Sequence, residues 1–105
     1  MTNQTLEELI YRANNHWSIP FEDFVITIQN EANAERLFIN NTLVTENIRE
    51  SIYSLKPYQT LRYTYIHPSG RPYEIYVKIG GFVAIHLNVK VNNKRIFKDK
   101  VSFFK

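Results

Sequence analysis

Nothing limits the fold of this 105-residue chain more than the stretch from Tyr58 to Phe104, where runs of Tyr, Ile, Val and Phe are cut by short turn signals. His67-Pro68-Ser69-Gly70-Arg71-Pro72 makes the first break, Gly80-Gly81 the second and Asn92-Asn93 the third. Gly and Asn accept positive φ, and Pro fixes φ while lacking an N–H, so each break is a turn with a physical cause. β-branched and aromatic residues suit the pleated, half-buried surface of a strand. The stretch reads as a four-stranded antiparallel meander.

Parity says which residues of that meander are core. Tyr73, Ile75, Val77 and Ile79 alternate as one apolar set, and Val83, Ile85, Leu87, Val89 and Val91 as a second. A two-residue loop at Gly80-Gly81 would put the two sets on opposite sides of the sheet, because a one-residue slip turns every side chain over. A three-residue or bulged turn, with Ile79 opposite Val83 and Val77 opposite Ile85, brings them together and places a glycine in the left-handed region. The opposite face then carries Glu74, Tyr76, Lys78, Phe82, Ala84, His86, Asn88 and Lys90, extended by Arg62 and Thr64 across the first turn. The last strand holds no single parity over Ile96, Phe97, Val101, Phe103 and Phe104, and Lys98-Asp99-Lys100 reads as a bulge or bend.

The first half reads as mixed. Thr5 and Glu8 fit a capping box, and Leu6, Leu9, Ile10, Ala13 and Trp17 fall on one helical stripe, so a helix is expected over about 5–16. Phe24-Val25-Ile26-Thr27-Ile28 is a β-branched run and reads as a strand. Asn30 to Ala34 reads as a turn, and Arg36 to Asn40 as a second strand or a short helix. Thr42 or Thr45 would cap a second helix over about 43–55, with Val44, Ile48, Ile52 and Leu55 on one face and Lys56-Pro57 closing it. No internal repeat, low-complexity segment or linker is visible. The expected fold is α+β: one domain over 1–105, an antiparallel sheet of four to five strands, and two helices packed on one of its faces.

Composition narrows the function classes. The chain has no cysteine, which excludes disulfides and thiolate chemistry. Its apolar runs are too short for a membrane helix, and the N-terminus lacks the basic and apolar parts of a signal peptide, so a cytoplasmic protein without membrane association is expected. Ile, Asn, Lys, Tyr and Phe are abundant while Ala and Gly are scarce. All five abundant residues have A/T-rich codons, which points to an A/T-rich genome such as that of many bacteria and phages. Net charge is +3, divided unevenly: residues 1–55 hold 8 acids against 3 Arg, and residues 56–105 hold 10 Lys or Arg against 2 acids. Such asymmetry marks a side that faces a polyanion or an acidic partner, or else an acidic half that neutralises a basic one.

The chemistry-bearing residues do not form a catalytic pattern. His16, His67 and His86 have no metal-ligand spacing, and no cofactor or metal is implied. Gly80-Gly81 precedes a strand and lacks the helix N-terminus of a phosphate-binding loop. A metal-free ribonuclease toxin would find the right residue types in His86, His67, Lys78, Tyr76 and Arg62, but their spacing adds nothing to their composition. Binding fits better. Arg62, Tyr76, Lys78, Phe82, His86, Lys90 and Arg95 compose a basic, aromatic sheet face, with Lys94 and Lys98 near its last turn. The expected role is that of a small non-enzymatic accessory or inhibitor protein, of phage or mobile-element origin, engaging a protein or nucleoprotein partner. RNA or single-stranded DNA is the second candidate for the same face, and a homodimer would use it equally well.

Overall fold

The computed structural model describes residues 15–31, 34–48, 58–81 and 84–102, and these are all-β. Four strands lie in the first half: β1 (Asn15–Phe21), β2 (Phe24–Asn30), β3 (Ala34–Ile39) and β4 (Thr42–Ile48). Four lie in the second: β5 (Tyr58–Ile66), β6 (Pro72–Gly80), β7 (Ala84–Val91) and β8 (Lys94–Ser102). Each set forms its own antiparallel sheet with neighbours in chain order, β1-β2-β3-β4 and β5-β6-β7-β8. The sheets belong to two compact units, residues 1–55 and 56–105. Among the described residues no helix is long and apolar enough to cross a membrane.

The α+β expectation is overturned, since no helix occurs among the described residues. Asn15 and His16, expected to end the first helix, pair with Asn30 and Gln29. Residues 43–48, expected to begin the second, are strand β4. The rest of both segments, 5–14 and 49–55, lies outside the described residues. The error has a physical source. Asn40 and Asn41 both adopt positive φ, 49° and 67°, the conformation of a two-residue hairpin turn rather than of a helix entry. In β4, Leu37 pairs with Thr45 and Phe38 with Leu43, leaving Val44 as an extra residue. That bulge breaks the alternation of two, so Val44 and Ile48 mimic a helical spacing.

A repeat invisible in the sequence appears in the registers. Ile39-Asn40-Asn41-Thr42 closes the third hairpin of the first unit, with Ile39 opposite Thr42. Val91-Asn92-Asn93-Lys94 closes the third hairpin of the second, with Val91 opposite Lys94. Asn92 and Asn93 also have positive φ, 52° and 65°. In β8 the pairs Val89 with Phe97 and Lys90 with Arg95 leave Ile96 as the extra residue, the same place in the hairpin as Val44. The bulge expected at Lys98-Asp99-Lys100 is therefore at Ile96. The two units share strand order, the Asn-Asn turn of the third hairpin and the bulge that follows it.

Each sheet buries one face. In the second unit Leu61, Tyr73, Ile75, Val77, Ile79, Leu87, Val89 and Val91 are all buried, as alternation requires. The described members of the two apolar sets do share a face, but with Ile79 opposite Leu87 and Val77 opposite Val89 in place of the expected Val83 and Ile85. Gly80 and His86 form the last pair. Gly80 and Gly81 both have positive φ, 147° and 140°. A Cβ at Gly81 would collide with the Ala84 carbonyl oxygen, so backbone proximity as well as φ selects glycine. Ala84, expected on the open face, is buried beside this approach. In the first unit Trp17, Ile19, Phe24, Ile26, Ile28, Leu37 and Ile39 are buried. The end of that core is polar: Asn15 donates to Asn30 at 3.2 Å, and Asn30 donates to the buried Glu35 carboxylate at 3.4 Å.

Candidate binding face of the C-terminal sheet

The open face of the second sheet is a grid whose rows follow from register. One row crosses all four strands as Arg62, Tyr76, Lys90 and Arg95. The next is Thr60, Lys78, Asn88 and Lys98. The third is Tyr58, Gly80, His86 and Lys100. Strands lie about 4.8 Å apart and next-but-one residues about 7 Å apart, so the grid is a dense two-dimensional array of cations. The Ile96 bulge completes it. Without the extra residue, Phe97 would face outward and Lys98 and Lys100 would turn toward the core.

Six cations stand on this face: Arg62, Lys78, Lys90, Arg95, Lys98 and Lys100. Among the described residues none of them forms an ion pair with a carboxylate. Two lie over rings instead. The Arg62 guanidinium carbon sits 4.9 Å from the centroid of Tyr76, and Lys78 Nζ sits 4.8 Å from that of Tyr58. Such contacts hold the charges in place without neutralising them. Glu74 is the one acid of the open face, at its far end, where its N–H is capped by Asn92 Oδ1. Two shallow depressions mark the surface. One of about 660 Å³ is lined by Arg62, Thr64, Glu74, Tyr76, Lys90 and Asn93 among others, and one of about 410 Å³ by His86, Asn88, Arg95, Lys98 and Lys100 with their neighbours.

The first unit supplies an internal comparison. Its positions equivalent to Arg62, Tyr76, Lys90 and Arg95 are Ser18, Thr27, Phe38 and Leu43. Those equivalent to Thr60, Lys78, Asn88 and Lys98 are His16, Gln29, Arg36 and Glu46. Arg36, the one Lys or Arg among them, is paired: it lies 3.1 Å from Glu31 and 3.1 Å from Glu46. The Glu31 hydrogen bond, with Glu46 adding to it, raises the Arg36 pKa above its usual value. Among the described residues, the same strand arrangement thus carries a neutralised face in one unit and cations without carboxylate partners in the other. The cations are not a requirement of the fold.

Of the seven residues expected to bind, Arg62, Tyr76, Lys78, His86, Lys90 and Arg95 stand together on this grid, and Phe82 lies outside the described residues. Lys100 and Tyr58 join them unanticipated. The signal for Lys100 was parity counted from the correct bulge, and for Tyr58 it was register with Gly80. His67 and His86, both of a residue type that a ribonuclease would draw on, are not brought together. His86 is level with Gly80 at one end of the sheet, while His67 follows Ile66 at the other, about 30 Å away along the strands. His67 Nδ1 instead sits 2.8 Å from Ser69 Oγ and accepts from the Ser69 N–H at 3.0 Å, organising its own turn. No group of three or more His, Asp or Glu side chains among the described residues is placed to hold a metal ion. No family model matches the chain, and neither the curated proteins nor the solved structures yield a match to it.

Proposed function

We propose that this chain is a small, non-enzymatic binding protein of the cytoplasm, whose C-terminal sheet engages an anionic macromolecular partner, a protein or nucleoprotein, through its open face. One observation carries the reading: among the described residues, six cations without a carboxylate partner occupy one face of the second unit, whereas the equivalent face of the first is neutral or internally paired. Like charges gathered on one face repel one another, so an array of them on a scaffold that does not need it supports a role in holding an anionic partner.

The test is charge reversal on the folded protein. Lys78→Glu, Lys90→Glu and Lys98→Glu together abolish retention on a polyanionic matrix at about 0.1 M salt, while Arg36→Glu leaves it unchanged. Retention that survives the triple reversal would reject the reading. Intact RNA after prolonged incubation with the protein is the expected result for a protein that binds without cleaving.

A further inference from the structure

We infer that the occupant of this face is a single strand of nucleic acid, lying over the row of Arg62, Tyr76, Lys90 and Arg95; the inference rests on the binding role proposed above. Four features separate this occupant from an acidic protein and from a duplex.

The first is the choice of cation. Interfaces between proteins are depleted in lysine at their centres and hold apolar anchors there. Here Lys78 and Lys90 stand in the middle of the grid, and no aliphatic side chain accompanies them in the two central rows. Lysine as a compact, hydrated point charge suits phosphates that need to be neutralised rather than buried.

The second is the placement of the rings. Tyr76 is half-buried in the grid and already carries a guanidinium on its face. A planar guanidinium over a ring is itself a surface on which a base stacks, as is the exposed ring of Tyr58 one row pair away. Interleaved with the cations, the two rings match the alternation of base and phosphate along a strand.

The third is shape. Among the described residues the four-stranded sheet presents a broad face with no helix or two-stranded ribbon projecting from it, which is what entering the major groove of a duplex requires. It fits an unpaired strand whose bases are splayed.

The fourth is an acceptor at the centre. Asn88 Oδ1, between Lys78 and Lys98, is buried with no hydrogen-bond partner among the described residues. Phosphates only accept and would leave this oxygen unsatisfied, whereas a base edge offers donors and acceptors together, which an amide turned outward matches with both its oxygen and its nitrogen.

The deciding measurement compares three probes of matched charge by fluorescence anisotropy or competition: a 12-nucleotide single strand of mixed sequence, the corresponding duplex, and inorganic polyphosphate. The single strand is expected to bind at least tenfold more tightly than either competitor. Tyr76→Ala should weaken the single strand roughly 5- to 150-fold, Tyr76→Phe should restore it, and polyphosphate should be indifferent to both. Near-ultraviolet circular dichroism of each variant separates loss of the ring from loss of the fold. Equal binding of all three probes, with Tyr76→Ala neutral and charge reversal still effective, overturns the nucleic-acid assignment and leaves the wider binding role standing. A nuclease-resistant complex with an acidic protein, unaffected by Tyr76→Ala, does the same. Indifference to charge reversal overturns both.

Discussion

Asn40 and Asn92 do the same work in the two units. The Asn40 N–H donates to the Val25 carbonyl at 3.0 Å, and its side-chain Oδ1 accepts from the Val25 N–H at 3.0 Å. The Asn92 N–H donates to the Glu74 carbonyl at 2.8 Å, and its Oδ1 accepts from the Glu74 N–H at 2.9 Å. Each asparagine extends a ladder by one step with its own amide while its backbone turns left-handed. That double duty explains why asparagine, rather than glycine, begins both turns.

Asn92→Gly and Asn92→Ala separate the two duties. Glycine keeps the positive φ and loses the bond to Glu74, a cost of about 1 kcal/mol. Alanine loses the bond and also resists the left-handed region, for a total of about 2–3 kcal/mol. Chemical denaturation of the two variants gives this order. Equal losses would show that the side-chain bond contributes nothing.

The buried and open faces of β7 can be told apart by stability alone. Leu87 is 2% exposed and faces the core, and its neighbour Asn88 belongs to the open face. Leu87→Ala is expected to cost about 2–5 kcal/mol. Lys98→Ala, opposite Asn88 on the edge strand, should stay within about 0.5 kcal/mol. A large loss at Lys98 would mean that the open face is structural.

Gly70 and Gly81 both have positive φ, yet they differ in what surrounds them. Nothing lies within 4 Å of a Cβ built on Gly70, whereas on Gly81 it meets the Ala84 carbonyl and, at 3.3 Å, His86 Cδ2. Gly70→Ala should therefore lose only about 1–2 kcal/mol to backbone strain. Gly81→Ala should lose more than that and displace the His86 ring, visible as a shifted imidazole resonance. Identical melting temperatures for the two would refute the close approach.

The legible part of this chain was the part written in period two. Between Tyr58 and Val91 the alternation named the buried face and the open one, and Asn92-Asn93 announced its turn. What failed was everything that a bulge disturbs. Val44 inserts one residue into β4, and the reading slid from strand to helix; Ile96 does the same in β8, where it alone breaks the parity that Phe97 and Val101 keep. The pairing across Gly80-Gly81 kept its parity and was misjudged in register, because an even shift leaves every side chain on its face. The repeat escaped notice because it resides in turn geometry and bulge position, which only Asn-Asn betrays in letters.

Arg36 and Arg95 provide the sharpest contrast between charge that stabilises and charge that binds. Arg36 is held between Glu31 and Glu46, at 26% side-chain exposure, and Arg95 ends the cationic row with no carboxylate partner among the described residues. Exposed ion pairs contribute little, so Arg36→Ala should cost no more than about 1 kcal/mol of stability and leave the salt dependence of binding untouched. Because its pairing raises the Arg36 pKa, that contribution is fully present below the unfolded-state value and is lost only as pH rises through the folded one, beyond the range of ordinary assays. Arg95→Ala should do the reverse: stability unchanged, and the slope of log affinity against log salt reduced by about 0.7, the release of one counterion from a single strand. A titration of binding at four or five salt concentrations reads both. An unchanged slope for Arg95→Ala would remove that residue from the face.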